Sequence, residues 1–504
     1  MANRLSSKLV KNHPGRHRQF ARILKSAPAS IAVTLPQPDF NPDPIPTFTR
    51  PLHPKPEILD LHDVNLFATV PTTKLLKSTA TLKMVSIDPI VDLGMWVMKS
   101  KLVETPIARE IILGVTKRTF YEQFVAGEDV TEMSRTVRSI WSSGLKSMLN
   151  YGLEHAHDNA SCDDNFKAIM ETVESNKTLP PPSVSSVIVK ITAIYPIPLL
   201  QRVSDLLRWE QRNPSSIKLP WKQSTLPIFS DSTPLYHTQT QPEPLTPEEE
   251  KDLELGNQRL NKICTRCAEL DVPVTVDAEE TTVQPAIDYL TYSSARLFNS
   301  GKRPLVFGTI QAYLKDAKGR MCLAMEAAEK MGLSMGFKLV RGAYMSFESR
   351  VAGSLGFDSP VHDTIQDTHD CYHDCASYLV DKVASGSGAL ILATHNVESG
   401  RRMATMARDY GIGKENDRLQ FAQLYGMSDA LSYGLSNAGF QVSKYLTFGP
   451  IEEVMPYLLR RAEENRGVLS SSALDRMLMW NELKRRMGVR ANGLSVMDAP
   501  SKSE

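Results

Sequence analysis

The 504-residue chain is 41% hydrophobic and 23% charged, enough for one large barrel-sized domain with additions or for two or three ordinary domains. Its formal net charge of +1 provides no broad field to gather nucleic acid, so no nucleic-acid partner is expected. No run approaches the roughly 18 to 20 apolar residues that span a bilayer, which leaves only peripheral membrane association, and six irregularly spaced cysteines suit a reducing compartment better than a disulfide framework.

Before Asp39 there is no acid, whereas Arg4, Lys8, Lys11, Arg16, Arg18, Arg22 and Lys25 are scattered among Ser, Ala and Leu. That is the composition of a mitochondrial transit peptide, although a basic tail with no address reads the same way. Eight prolines between Pro36 and Pro56 remove backbone donors and block helix. Residues 1–60 are therefore expected to be a leader and an extended arm. Apolar residues at helical spacing in Asp92 to Met98 and in Val130 to Trp141 predict a helical region over residues 61–144.

Over residues 145–470 short apolar runs alternate with helical patterns. The predicted strands are Leu145 to Tyr151, Val187 to Ala193, Val274 to Ala278, Leu305 to Tyr313, Phe337 to Tyr344, Leu390 to Asn396, Leu419 to Gly426 and Val442 to Gly449. Eight strands alternating with helices suggest a closed parallel (β/α)8 barrel. A doubly wound sheet alternates likewise, but unusual polar residues close nearly every run, as at the mouth of a barrel enzyme. The second crossover is long and rich in Ser, Thr and Pro, which predicts a surface insertion at about residues 210–247; it ends at a helix start where Thr246 can cap and Pro247 suits the first turn. A last helix should cap the site, and residues 471–504 should form a C-terminal helix and tail.

Lys190 interrupts an apolar run, which is costly without a partner; Asp277 is its expected partner, and Glu279 follows two residues on. Gln311, the segment from Arg341 to Tyr344, and Thr394-His395-Asn396 end three further runs, with Gly342 suited to close backbone approach to a ligand. In the helical segment 452–466, Arg460 and Arg461 repel each other unless an anion sits between them, and their forked donors suit a carboxylate. Such a doublet is ordinarily solvated surface and alone decides nothing. No Gly-x-Gly-x-x-Gly opens a strand-to-helix turn, so a Rossmann-type site is not supported.

Cys264-x-x-Cys267 shares one apolar helical stripe with Leu253, Leu260 and Ile263, a core pattern rather than half a zinc site. His369 and His373 share one face of a probable helix, and Cys371 and Cys375 another. The four cannot converge on one ion; structural or surface roles are expected for them, and no metal.

In order along the chain, Val-Lys-Ile-Thr-Ala, Asp-Ala-Glu, Gln-Ala-Tyr-Leu-Lys-Asp-Ala, Lys-Leu-Val-Arg-Gly-Ala-Tyr, Ala-Thr-His-Asn, Leu-Tyr-Gly-Met and Tyr-(x)14-Arg-Arg-x-x-Glu-Asn resemble the proline dehydrogenase family, over roughly Leu145 to Gly467. Seven motifs in one order make the resemblance specific. It implies a barrel binding FAD noncovalently, hydride transfer from C5 of L-proline to flavin N5, Δ1-pyrroline-5-carboxylate as product, and electrons passed to ubiquinone at the matrix side of the mitochondrial inner membrane. The implied catalytic set is Lys190, Asp277, Tyr445, Arg460 and Arg461. Of these, Arg460, Arg461 and Lys190 would bind the proline carboxylate, and Leu424 and Tyr445 would wall the ring. Gln311, Lys338, Gly342, Ala343, Tyr344, Thr394, His395, Asn396 and Glu464 would hold the flavin. Lys338 departs from many bacterial relatives, which carry Arg there. Tyr445 argues for proline, because the hydroxyproline-oxidising branch tends to have a smaller residue at that position. The second crossover lacks an Asp-x-Asp-x-Asp-Gly calcium series, and the next oxidation of the pathway is expected of another protein.

Overall fold

The computed structural model describes residues 58–100, 105–153, 155–465 and 472–488; the basic leader and the proline-rich arm lie outside them. Eight parallel strands close into a barrel in chain order: β1 (Lys146–Tyr151), β2 (Val184–Val189), β3 (Val274–Val276), β4 (Val306–Gln311), β5 (Met335–Val340), β6 (Gly388–Ala393), β7 (Leu419–Leu424) and β8 (Val442–Phe448). Each predicted run supplies one strand. The second is displaced: β2 begins at Val184 because Ser185 and Ser186 hide its first half from an apolar count, although Ser186 pairs with Met148 of β1. Past Val189 the chain turns helical, with Lys190 at the bend.

Ahead of the barrel lie α1 (Thr72–Val85), α2 (Asp88–Lys99), α3 (Pro106–Thr116), a π-helical turn (Lys117–Tyr121), α4 (Glu122–Phe124) and α5 (Val130–Ser142). Between the strands come α6 (Asn159–Ser175), α7 (Ile191–Ile194), α8 (Ile197–Arg212), α9 (Pro247–Glu269), α10 (Gln284–Phe298), α11 (Ala317–Lys330), α12 (Met345–Ser354), α13 (Ile365–Ala384), α14 (Val397–Asp409) and α15 (Asp429–Asn437). After β8 follow α16 (Met455–Glu464) and α17 (Ser472–Arg486). At the start of α9 the Thr246 hydroxyl accepts from the Glu249 N–H at 3.2 Å while the Glu249 carboxylate accepts from the Thr246 N–H at 2.8 Å. This reciprocal cap contributes about 1 kcal/mol. Cys264 and Cys267 are fully buried on the inner face of α9.

Residues 213–246 carry no regular structure, yet Leu226, Ile228, Phe229 and Tyr236 within them are buried. The Gln223 N–H donates to the Tyr289 hydroxyl at 2.7 Å, and the Thr233 hydroxyl donates to Asp316 at 2.7 Å. A polar composition thus conceals a strap fastened to α10 and to the start of α11.

Inside the barrel, Met148, Ile188, Phe307, Ala389, Ile391 and Ala422 pack into an apolar plug. Side chains of one strand face inward at every second position. Two residues beyond Met148 and Ile188 are Asn150 and Lys190, and four beyond Phe307 is Gln311. The strand period therefore sets a polar layer above the plug, at the carboxyl ends of the strands, where barrel enzymes carry their sites.

Candidate active site

Above the plug a cavity of about 440 Å³ opens. The fifteen residues that the family resemblance assigns to a site all line it: Lys190, Asp277, Gln311, Lys338, Gly342, Ala343, Tyr344, Thr394, His395, Asn396, Leu424, Tyr445, Arg460, Arg461 and Glu464. The strand ends supply most of them. Helix α16, folded back over the mouth, supplies the arginine pair and Glu464. With Arg341 included, five cations face two carboxylates across this space, so the cavity favours an anionic occupant.

Asp277 is the hub. One carboxylate oxygen pairs with Lys338; the other accepts from the Tyr445 hydroxyl at 2.8 Å and faces Lys190 at 3.5 Å. Burial pushes the Asp277 pKa up, but Lys338 and Lys190 outweigh it and hold the carboxyl below its ordinary range. The expected Lys190–Asp277 pair is therefore one arm of a four-residue network. Lys338 also lies 5.4 Å from the centre of the Tyr445 ring. Glu279 is buried and accepts from the Thr192 hydroxyl at 2.9 Å.

Arg461 is 6% exposed. It pairs with Glu464 one turn on, and its guanidinium lies 4.8 Å from the Tyr457 ring centre. Among the described residues its Nε is buried without an acceptor, a donor whose desolvation cost is recovered only when an acceptor arrives. Burial pushes the Glu464 carboxyl up, against the pull of Arg461 and Arg460.

On the opposite wall Arg341 donates to His369 Nδ1 at 3.0 Å, to the Thr394 hydroxyl at 2.9 Å and to the Ser399 hydroxyl at 2.9 Å, and it lies 4.3 Å from the Tyr372 ring centre. Asn396 caps α14 by accepting from the Ser399 N–H at 2.8 Å. Together they set a fixed cation beside the N-terminus of a thirteen-residue helix, an arrangement suited to a phosphate-bearing ligand. His395 Nε2 accepts from the Leu424 N–H at 3.1 Å. Burial first, then Arg461 and Lys444, lower its pKa to about 3, so it is neutral at physiological pH.

A sequence model of the proline dehydrogenase family matches residues 133–473, the span that holds every strand and the arginine-bearing α16. The chain belongs to the proline dehydrogenase family. It is 58% identical over 439 residues to Proline dehydrogenase 2, mitochondrial, of Arabidopsis thaliana, covering 86% of this chain and 92% of that one. To Hydroxyproline dehydrogenase of Bos taurus it is 31% identical over 385 residues, covering 74% and 81%. Proline utilization A (PutA) from Bdellovibrio bacteriovorus superposes with a TM-score of 0.59 at 20% identity, covering 87% of this chain and 45% of that one. That likeness shows the barrel alone, and this chain spans less than half of that protein. This member of the proline dehydrogenase family is thus an oxidoreductase of proline catabolism, of the eukaryotic mitochondrial type.

The structure adds detail to two sequence expectations for this family member. Packing by itself already demands glycine at 342, beside the cavity it lines: its φ is +131°, and a Cβ there would lie 1.6 Å from the Tyr313 ring. His369, expected to be structural or on the surface, lines the cavity as an acceptor for Arg341. His373 on the same face hydrogen-bonds the Ser399 hydroxyl at 2.8 Å, and Cys375 is buried. Sequence reasoning also passed over Asn150, Gln423 and Tyr457, which line the cavity, and left Arg341 unassigned. The Lys-Leu-Val-Arg-Gly-Ala-Tyr motif was the one signal that could have found Arg341.

Proposed function

We propose that this cavity takes FAD and L-proline side by side and oxidises proline to Δ1-pyrroline-5-carboxylate. The reading rests on one observation: fifteen residues from separate motifs meet in a single cationic cavity at the barrel mouth. The residues present fit FAD. Arg341, oriented by three acceptors at the start of α14, suits the diphosphate. Gln311, Lys338, Gly342, Ala343, Tyr344, Thr394, His395 and Asn396 border the remaining space, and Glu464 enters it as the partner of Arg461. When bound, FAD would supply a two-electron acceptor, at its N5, for the hydride of proline C5.

Arg460 and Arg461 fork onto the proline carboxylate, with Lys190 as a third cation, and Leu424 and Tyr445 bracket the pyrrolidine ring. Fixing the substrate by its carboxylate is what turns an encounter into a near-attack geometry. The three cations lower the pKa of the substrate amine, so it sheds its proton to solvent and enters neutral. Loss of hydride from C5 then leaves a C=N bond, and the remaining N–H proton passes to water to give the imine. No dedicated base is needed. The Tyr445 hydroxyl, held by Asp277, fills the space a 4-hydroxyl would need.

The electrons pass to ubiquinone, and the enzyme works as a peripheral protein at the matrix side of the mitochondrial inner membrane. The deciding experiment is anaerobic addition of L-proline to the purified flavin-loaded protein. Bleaching of the flavin absorbance is expected; an intact flavin that does not bleach would defeat the proposal.

A further inference from the structure

Outside the catalytic cavity, α2 and α3 are unusual. Among their described side chains, Ile90, Leu93, Trp96, Ile107, Ile111 and Val115 are exposed, with Trp96 at 62% and Ile107 at 78%. In α3 the positions 107, 111 and 115 follow a four-residue step, so they form one stripe on one face. Scattered exposed apolar residues need no explanation, whereas exposed apolar residues on two successive helices, three of them in one stripe on α3, do. Neither helix can cross a bilayer: α2 has 12 residues and α3 has 11, against about 20 required.

The surroundings of this face are cationic. Residues 72–121 carry six lysines and two arginines against four acids, a net +4 in a chain whose total is +1. Arg118 borders both the groove beside Ile111 and Val115 and a neighbouring cavity of about 490 Å³ lined by Lys74 and Lys77. Three of the cations have partners, Lys77 with Glu122 at 3.2 Å, Arg109 with Glu452 at 3.6 Å and Lys117 with Glu128; with Glu122 and Glu128 counted, residues 72–128 keep a net +2. An apolar stripe rimmed by cations matches the two layers of an anionic lipid surface, acyl chains beneath and phosphates above.

The position of the face bears on function. Helix α2 packs against α16, the helix that brings Arg460 and Arg461 over the catalytic cavity, and Arg109 of α3 reaches Glu452 ahead of α16 at 3.6 Å. A bilayer touching α2 and α3 therefore lies beside the barrel mouth.

We propose that α2 and α3 are the surface by which this enzyme lies on an anionic phospholipid bilayer, with Trp96, Ile107 and Ile111 entering the interface and the Arg118 side meeting headgroup phosphates. The proposal deepens the reading of electron transfer to a membrane quinone, and its functional meaning rests on that reading.

The test uses the full-length flavin-loaded protein with vesicles of phosphatidylcholine and phosphatidylglycerol in a two-to-one ratio, bound protein being separated by flotation. Binding to these vesicles is expected, with weaker binding to pure phosphatidylcholine and at high salt. The triple variant Trp96→Gln, Ile107→Gln, Ile111→Gln is expected to partition at least about tenfold less while oxidising proline with a soluble dye at the wild-type rate, which shows that its site is intact. Wild-type protein that does not float, or a triple variant that binds as well as wild type, overturns the proposal. So does a wild-type oligomer that the triple variant dissolves into monomers, because the face would then belong to a second copy of this chain. Failure of the wild type to reduce the dye with proline would instead count against the catalytic reading, and the flotation result would still decide the docking surface.

Discussion

Tyr445 reaches across the barrel mouth to Asp277: its hydroxyl donates at 2.8 Å to the carboxylate oxygen that also faces Lys190. The contact fixes the Tyr445 ring, the proposed wall of the substrate, and ties it to the charge network of Asp277, Lys190 and Lys338. Tyr445→Phe removes one hydrogen bond to a charged group, an effect of about 1.5 to 3 kcal/mol. With most of that felt in the transition state, kcat/KM for proline should fall about tenfold or more while the fold persists. Tyr445→Ser also empties the space beside the ring, so the ratio of kcat/KM for trans-4-hydroxyproline to that for proline should rise. Steady-state kinetics on both substrates checks this, and a phenylalanine variant with wild-type kcat/KM would show that the hydroxyl does not matter.

The two arginines of α16 differ in setting, and the difference predicts unequal effects. Arg461 is buried, paired with Glu464 and set against Tyr457, with Nε lacking an acceptor; Arg460 is only half-buried. Arg461→Met should raise KM for proline by about 100-fold, as expected for the loss of a desolvated charged contact of roughly 3 kcal/mol. Arg460→Met should raise it less, and Arg461→Lys should fall between, keeping the charge and losing the fork. An unchanged KM in both methionine variants removes the carboxylate clamp.

The barrel was legible because eight buried strands leave eight apolar runs, and because the two-residue strand period puts the polar residue that ends a run directly above the core. Lys190 and Asp277 were legible as a pair because a lysine in an apolar run needs a carboxylate. The share of Lys338 in that same carboxylate was not, since nothing local says which neighbouring strand faces Asp277. Arg341 was hidden for a related reason: its acceptors lie 28, 53 and 58 residues away, on α13, at the end of β6 and on α14. Only barrel closure brings them together. The apolar residues of α2 were visible as helical periodicity, but periodicity marks a face without saying whether protein covers it.

Arg341 offers a test of the cofactor wall that does not depend on turnover. Its guanidinium is oriented by His369, Thr394 and Ser399, and burial pulls its pKa down from the ordinary arginine value, a cost that a bound diphosphate would offset. Arg341→Gln loses the charge and the three-way fork. Loss of a charge-assisted contact of about 2 to 3 kcal/mol corresponds to about 30- to 150-fold weaker flavin retention. The ratio of flavin to protein absorbance after gel filtration measures it. Stoichiometric flavin in the variant, with a wild-type dissociation constant, would place the diphosphate elsewhere.

His395 makes stability depend on pH in a direction the structure dictates. Its Nε2 is occupied in accepting the Leu424 N–H, and a second proton would put a charge among Arg461 and Lys444. Its pKa therefore falls from 6.5 to about 3. Between those values the unfolded chain binds a proton that the folded protein refuses, so stability drops as pH falls from about 6.5 toward 3, by at most about 1.4 kcal/mol per pH unit. Above pH 6.5 both states are neutral and this group contributes no slope. His395→Gln can keep an acceptor for the Leu424 N–H without titrating. It should lose part of the drop in thermal midpoint that the wild type shows between about pH 7.5 and about pH 5.5, with little change between about pH 7.5 and about pH 8.5. Equal drops in both proteins would mean that His395 accepts its second proton in the folded state and that the acid sensitivity resides in other groups.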